Sequence, residues 1–429
     1  MNSKGNFRWV ICGLLFFATT VNYMDRAIIS LVKEYLDLEF NWTKSDYANI
    51  TAAFQFAYAF GMIFAGRVID WLGTKLGYAL SLITWSIAAI CHFFINSNLG
   101  FYFARVGLGL TESGNFPAAI KTTAEWHPKK ERSFATGIFN AGTNVGAIIA
   151  PLTVPFIAVA FGWRLTFVLI GGLGFIWLIF WYFLYSVPDQ SKYLSKEEHD
   201  YIHSDEDEKE SNLSSKNYSW AGLAKYKPTW AFAIGKFMCD GVWWFYLFWL
   251  PDFLKEQYHL SKTQIAIPTA LVFLIATVGS LFGGWLPMRL INKGWSSFKA
   301  RKFSLLIFAA CALPVMFAQW AGSYTMYAGV ILIGIAASAH QAYSANLYTT
   351  VSDAFPKAAV GSVIGMGGMM GGVGGILITK IAGYLFDHYK ALGHIQTGYY
   401  LLFFYCGIAY LTAWTAIHFL VPKPVRINL

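Results

Sequence analysis

Charge is scarce in this sequence. Asp, Glu, Lys and Arg make up 13% of its 429 residues, where an ordinary water-soluble domain carries about 25%. A chain so poor in charge and 56% hydrophobic reads as a membrane protein and excludes an ordinary soluble globule. Cysteine is scarce too. Cys12, Cys91, Cys239, Cys311 and Cys406 show no CxxC spacing and fall inside apolar stretches, which excludes a disulfide framework and leaves packing as their role. No HExxH, no GxSxG and no paired His/Asp cluster occurs in those stretches, so a membrane-embedded enzyme would lack its nucleophile, base or metal ligands. The glycine series GSVIGMGGMMGGVGG (361–375) lacks the Gly-Lys-Ser/Thr of a phosphate-binding loop. Close helix packing or a bending gate is its better reading.

What the chain does have is apolar runs long enough to cross a bilayer, roughly 20 residues each. Twelve are placed at 8–31, 46–70, 76–96, 99–124, 133–159, 163–185, 229–254, 263–286, 302–320, 325–350, 360–382 and 399–421. Lys4 and Arg8 precede the first run as in a secretory signal, yet its length, its internal charged pair and the lack of a small-x-small site predict that it is retained. With the N-terminus in the cytoplasm, inner segments hold about 21 Lys and Arg and outer ones about 7, the sense of the positive-inside rule. HPKKER (127–132), MRLINKGWSSFKARK (288–302) and the 188–228 connection carry the inner clusters. Both termini are therefore expected inside. The net charge of +9 is a topology signal, and nucleic-acid binding is the weaker reading, because the charge is spread along membrane edges with no soluble basic domain to carry it; no nucleic-acid partner is expected.

Residues 188–228, with SKEEHDYIHSDEDEKE at 195–210, separate six runs from six. The expected organisation is an N-terminal bundle (1–187), a cytoplasmic linker (188–228) and a C-terminal bundle (229–429). His199 and His203 stand at i, i+4, a spacing that can bind a metal on a helix. Without a third ligand the solvated edge of an acidic helix is the favoured reading, and no metal site is expected. Asn212 and Asn217 begin Asn-x-Ser sequons, but on the cytoplasmic side they would not be glycosylated.

The halves echo each other. GRVIDWLGTK (66–75) follows the second run and GGWLPMRLINKGWSSFKARK (283–302) the eighth, each a helix-end glycine followed by a turn with basic residues, as in carriers built from two related bundles. The first of these resembles the signature loop of the major facilitator superfamily. Gly66, Asp70, Gly73 and Lys75 match it, while Trp71 and Thr74 replace basic residues and weaken its charge network. NYMDR (22–26), RVGLGLTESGNFP (105–117) and EWHPKKERSFATGIFNAGTNVGAIIAP (125–151) resemble the anion:cation symporter branch. DGVWWFYLFWLPDFL (240–254) and AHQAYSANLYTTVSDAFP (339–356) resemble its hexuronate transporters. The resemblance covers nearly the whole chain. It implies an all-α fold of twelve transmembrane helices in two pseudo-symmetric six-helix bundles, in the plasma (inner) membrane, acting as a monomer on a small organic anion.

An ionisable residue at mid-bilayer costs at least ~2.5–3.5 kcal/mol and usually faces protein or water. Asp25 and Arg26 lie ~25 Å along the first helix, and Arg105 and Glu112 lie ~9 and ~20 Å into the fourth. Arg105 and Glu112 are seven residues apart and share a face, with Leu108 and Gly109 between them leaving room for a small anion. A guanidinium can replace a carboxylate's hydration with two parallel charge-assisted hydrogen bonds. Arg26 is the first candidate for that contact, and Arg105 is a second clamp or the partner of Asp25 and Glu112. The resemblance implies Asp25 and Glu112 as proton-coupling acids and Arg26 as the substrate-binding arginine. A buried ion network that only fixes helix packing stays open, above all for Asp25 and Arg105.

Sugar hydroxyls call for amide, hydroxyl and aromatic groups. Candidates are Tyr23, Tyr58, Asn115, Asn140 and Asn144 in the first half, and Asp240, Trp243, Trp244, Tyr246, His340, Gln341 and Asn346 in the second. Lys121 and Lys236 are read as snorkelling from helix ends. The expected function is proton-coupled import of a sugar-acid anion, a hexuronate first and an aldonate such as galactonate next, by alternating access and with no cofactor besides the coupling protons. Sodium coupling and a non-transporting nutrient sensor on the same fold remain alternatives.

Overall fold

The computed structural model describes residues 5–203, 220–355 and 357–427. Lys4, the sequons at Asn212 and Asn217, the acidic stretch from 204 onward, and the side chains of Asp70, Lys129, Lys130 and Arg132 lie outside the described residues. Seventeen helices and three short 3-10 turns make up the rest, with no strand among the described residues. In chain order the helices are α1 (Phe7–Leu31), α2 (Lys33–Phe40), α3 (Lys44–Leu72), α4 (Thr74–Cys91), α5 (Asn98–Glu112), α6 (Asn115–Trp126), α7 (Lys129–Phe161), α8 (Trp163–Leu184), α9 (Lys196–Ile202) and α10 (Trp220–Leu223). They continue with α11 (Lys227–Tyr258), α12 (Ala266–Asn292), α13 (Ser297–Ala312), α14 (Ala318–Tyr324), α15 (Met326–Ala354), α16 (Lys357–Ala391) and α17 (Ile395–Leu420).

Each of the twelve predicted runs is carried by one long helix or by a broken pair. The fourth is broken after Glu112, where Ser113 turns its hydroxyl back to the Leu110 carbonyl and Gly114 packs against Ser81 before α6 begins. The ninth is α13 and α14 joined by a 3-10 turn at Leu313–Phe317 that contains Pro314. Among the described residues nine segments are long and apolar enough to cross a membrane. The other three predicted runs fall on α3, on the broken α5–α6 pair and on α11. Large apolar side chains such as Phe183, Leu281, Phe161 and Ile179 are exposed, which suits a lipid-facing surface.

The helices form two compact units, Met1–Ile28 with Ala57–Ser214, and Ile29–Phe56 with Ser215–Leu429. In the first, Gly142 and Gly146 of α7 let that helix approach α1 so closely that a methyl group would meet the carbonyls of Phe16 and Thr20. Trp177 and Trp181 of α8 and Tyr185 just after it stack in succession, and the indoles of Trp177 and Trp181 donate to the carbonyls of Leu14 and Lys75. The turn between α3 and α4 is made by Gly73 at φ +76°, a conformation costly for side-chain residues. Beside it Thr74 donates its hydroxyl to Glu125 at 2.5 Å, where the family pattern has a basic residue.

Helix α9 is clamped to α1 and α7 within this unit. Glu198 accepts from the backbone N–H groups of Phe7 and Arg8 and from the Arg8 guanidinium, all at 3.0–3.1 Å. Arg8 also holds Glu131, which accepts from the Tyr201 hydroxyl at 2.8 Å.

In the second unit the Gly279-x-x-x-Gly283 pair of α12 meets Ser338 and Ala342 of α15 with no room for a methyl group, the small-residue packing used between helices in lipid. Residues 29–56 belong here because their polar groups find partners on α11 and α16. Lys44 donates to Asp252 at 2.8 Å and to Glu256 at 2.8 Å, the Tyr47 hydroxyl donates to the Phe248 carbonyl, and Gln55 donates to Thr379 at 3.0 Å. Asp252 also takes a 2.6 Å bond from the Tyr399 hydroxyl, and Lys33 stands 3.3 Å from it.

Candidate functional site

The charged pair of α1 and the charged pair of α5 meet in the first unit. Asp25, Arg26, Arg105 and Glu112 are all at most 2% exposed. Their formal charges sum to zero, which is what makes so much burial tolerable in an apolar setting. Arg26 directs Nε (3.2 Å) and Nη2 (3.0 Å) at the same oxygen of Glu112, Oε2. Nη2 also donates to Asn22 Oδ1 at 3.2 Å, one helical turn back. The guanidinium lies between two phenol rings, with Cζ 4.7 Å from the Tyr23 centroid and 4.5 Å from that of Tyr58. Two π faces and a carboxylate therefore hold one cation in a fixed orientation.

Glu112 is the last residue of α5. Its Oε1 makes no hydrogen bond among the described residues. It is thus the oxygen to which a proton can add while Oε2 faces Arg26. Asp25 is fully buried. The charges acting on it are those of Glu112 and Arg105, and the Trp85 indole faces it without a bond of ordinary geometry. Arg105 also acts on Glu112 and on His92, whose ring is stacked on Phe167 at 4.6 Å.

The other candidates divide. Asn115 is fully buried, with its amide oxygen taking a 2.7 Å bond from the Tyr78 hydroxyl and its amide nitrogen 3.4 Å from Thr19. That makes it a tie between α4, α6 and α1. Asn144 is buried and Asn140 exposed on α7. In the second unit Trp243 stacks on His340 at 4.9 Å and 12°, and His340 Nδ1 stands 3.0 Å from the Tyr410 hydroxyl. Gln341, next along α15, is half-buried. Tyr246 is fully buried beside Cys406. Trp244 lies against Gly375, and Asn346 donates to the carbonyls of Gly283 and Ala342.

Lys236 departs from its sequence reading. It does not snorkel: it is 4% exposed, its Nζ donates to Asp240 at 2.7 Å and lies 4.7 Å from the Tyr348 ring centroid. Asp240 in turn rests on Gly371 of α16, where a methyl group would come within 2.1 Å of Oδ2. So one glycine of the 361–375 series makes space for an acid, and that acid pairs the buried lysine. The sequence signal was an i, i+4 lysine–aspartate pair inside an apolar run. Asn22, one turn before Arg26, was missed in the same way.

Comparisons with known proteins bear on the family and on the fold. The sequence profile of the Major Facilitator Superfamily matches residues 15–379. The chain is 30% identical over 388 residues to a hexuronate transporter of Escherichia coli (strain K12), covering 90% of this chain and 89% of that protein. It is 32% identical over 281 residues to a galacturonate transporter of Dickeya chrysanthemi, covering 66% of this chain and 81% of that protein. Among solved structures it is similar in fold to a D-xylose-proton symporter, with TM-score 0.74 and 15% identity over 99% of this chain and 100% of that one.

Proposed function

The chain belongs to the Major Facilitator Superfamily, and on that premise we propose that it imports a sugar-acid anion, a hexuronate such as glucuronate or galacturonate, together with protons. It is a multi-pass membrane transporter and not an enzyme. The hexuronate reading is supported by likeness to the hexuronate and galacturonate transporters; a hexuronate offers one carboxylate on a polyhydroxylated ring.

One observation carries the coupling. Arg26 already holds a carboxylate, that of Glu112. A substrate carboxylate asks for the same guanidinium edge, so the two compete. Protonation of Glu112 removes its charge and its claim on Arg26, and leaves the fixed fork of donors to take the anion with bidentate geometry. Deprotonation restores the internal pair and expels the anion. Binding of the proton and of the substrate are thereby linked, and linkage of this kind is reciprocal. Asp25, close to Arg105, is the second acid in this reading. One monoanion with two protons carries a net positive charge inward. Within the second unit, taken by itself, Lys236, Trp243 and His340 are assigned as sugar-binding groups, the lysine for an oxygen-rich edge and the stacked pair for an apolar face.

Purified protein in liposomes tests this. Uptake of radiolabelled glucuronate is expected to rise with an inward proton gradient and again with an inside-negative potential. Uptake indifferent to both removes proton symport, and binding without flux makes the chain a sensor. Competition by a panel of sugar acids decides between hexuronates and aldonates.

A further inference from the structure

We propose that Asp189, His199 and His203 form a binding site for one divalent transition-metal ion of the zinc class, within the first unit, where the turn after α8 meets α9. In sequence the two histidines share a helical face but have no third ligand. The fold supplies one. Asp189, in the 3-10 turn Pro188–Gln190 after α8, brings Oδ1 to 2.9 Å from His199 Nε2 and 3.4 Å from His203 Nε2. One ligand atom from each of the three residues lies within 4.8 Å of the others. Ligand atoms on a zinc tetrahedron with bonds of ~2.0–2.1 Å stand about 3.3 Å apart. The two edges that run from Asp189 thus stand close to the required length, and an ion takes the place of the hydrogen bond between His199 and Asp189.

The second shell points the same way. His203 Nδ1 lies 2.9 Å from the backbone carbonyl of His199. An oxygen acceptor fixes the proton on Nδ1, so Nε2 presents its lone pair toward Asp189. Asp200 lies 3.6 Å from His199 Nδ1, the side from which an outer carboxylate orients a ligating imidazole. The two rings are 4.3 Å apart. The helix that bears them is held in place by Glu198 and Tyr201 through Arg8 and Glu131. A ligand pair on an anchored helix loses little freedom on binding. Asp189 is largely exposed and the histidines partly so, which lets the ion enter from water and keeps one position for it. The ion would tie the turn after α8 to α9, and through Glu198 to the start of α1.

Titration of the full-length protein in detergent with Zn2+, in competition with a chromophoric chelator, tests the assignment. One high-affinity ion per chain is expected. Outer-shell partners alone are worth ~10–100-fold in metal affinity, so His199→Ala and His203→Ala should each weaken binding by at least ~10-fold. Co2+ substituted into the wild type should give the visible bands of a tetrahedral nitrogen–oxygen site, and Zn2+ should raise the thermal midpoint of the wild type only. Equal affinity in wild type and both variants would assign the ion to others of the nine histidines. Absence of Zn2+ binding and of Co2+ bands would reduce the cluster to an ion pair. Either result overturns the proposal.

Discussion

Arg26 and Glu112 hold each other through two donors and one oxygen, and the two tyrosine faces leave the guanidinium little freedom to turn elsewhere. A lysine at 26 keeps the charge but not the fork or the planar face. Losing one charge-assisted hydrogen bond to the substrate costs ~1.5–3 kcal/mol, so Arg26→Lys should weaken glucuronate binding by roughly 10–100-fold. Titration of the purified variant checks this, and unchanged affinity would move the anion contact away from Arg26. The sequence exposed this centre well because ionised groups inside apolar runs are costly enough to announce themselves. It could not show that Arg26 would choose Glu112 over its chain neighbour Asp25. Residues i and i+1 point to different sides of a helix, and only the packing of α1 on α5 decides which acid meets which base. Asn115 marks the opposite failure: a buried amide looks the same in sequence whether it serves a ligand or, as here, ties Tyr78 to Thr19.

At the scale of the element, α11 and α16 show what a span can hide. Lys236 looked like a helix-end residue because the apolar run begins at 229, but α11 begins at Lys227, and nine residues of helix place Lys236 about 14 Å from its start. Gly371 across the interface provides the space that lets Asp240 pair it. Removing one member of a buried pair strands the other and costs up to ~3–5 kcal/mol, whereas replacing both with apolar groups is often neutral. Asp240 is partly exposed, so the lower end of that range applies. Lys236→Met alone should therefore lower the thermal midpoint, and the Lys236→Met/Asp240→Leu double variant should recover it. If the pair serves the substrate as assigned, the double variant stays stable yet takes up glucuronate at least ~10-fold more slowly, a loss of ~1.4 kcal/mol. Wild-type uptake by the double variant would make the pair structural. Broken elements were the least legible. The stop after Glu112 rests on Ser113 and Gly114, a two-residue signal inside a run that is apolar on both sides.

At the scale of the whole molecule, twelve apolar runs and a polar connection were enough to read the architecture, because lipid admits only helices whose backbone bonds close internally. What hydropathy could not reveal is which half's partners residues 29–56 would find, since that depends on particular contacts such as Lys44 with Asp252 and Gln55 with Thr379. The coupling scheme is a statement about the whole cycle, in which one carboxylate must leave Arg26 before another can bind. The most direct measurement uses Glu112→Gln in proteoliposomes with radiolabelled glucuronate. Glutamine has no charge and no proton to release, so it mimics the loaded acid permanently. The variant is predicted to exchange internal for external substrate in counterflow, at a rate within a few-fold of wild type, while failing to accumulate it under an inward proton gradient. Accumulation by Glu112→Gln to the wild-type level would contradict the exchange of carboxylates on Arg26.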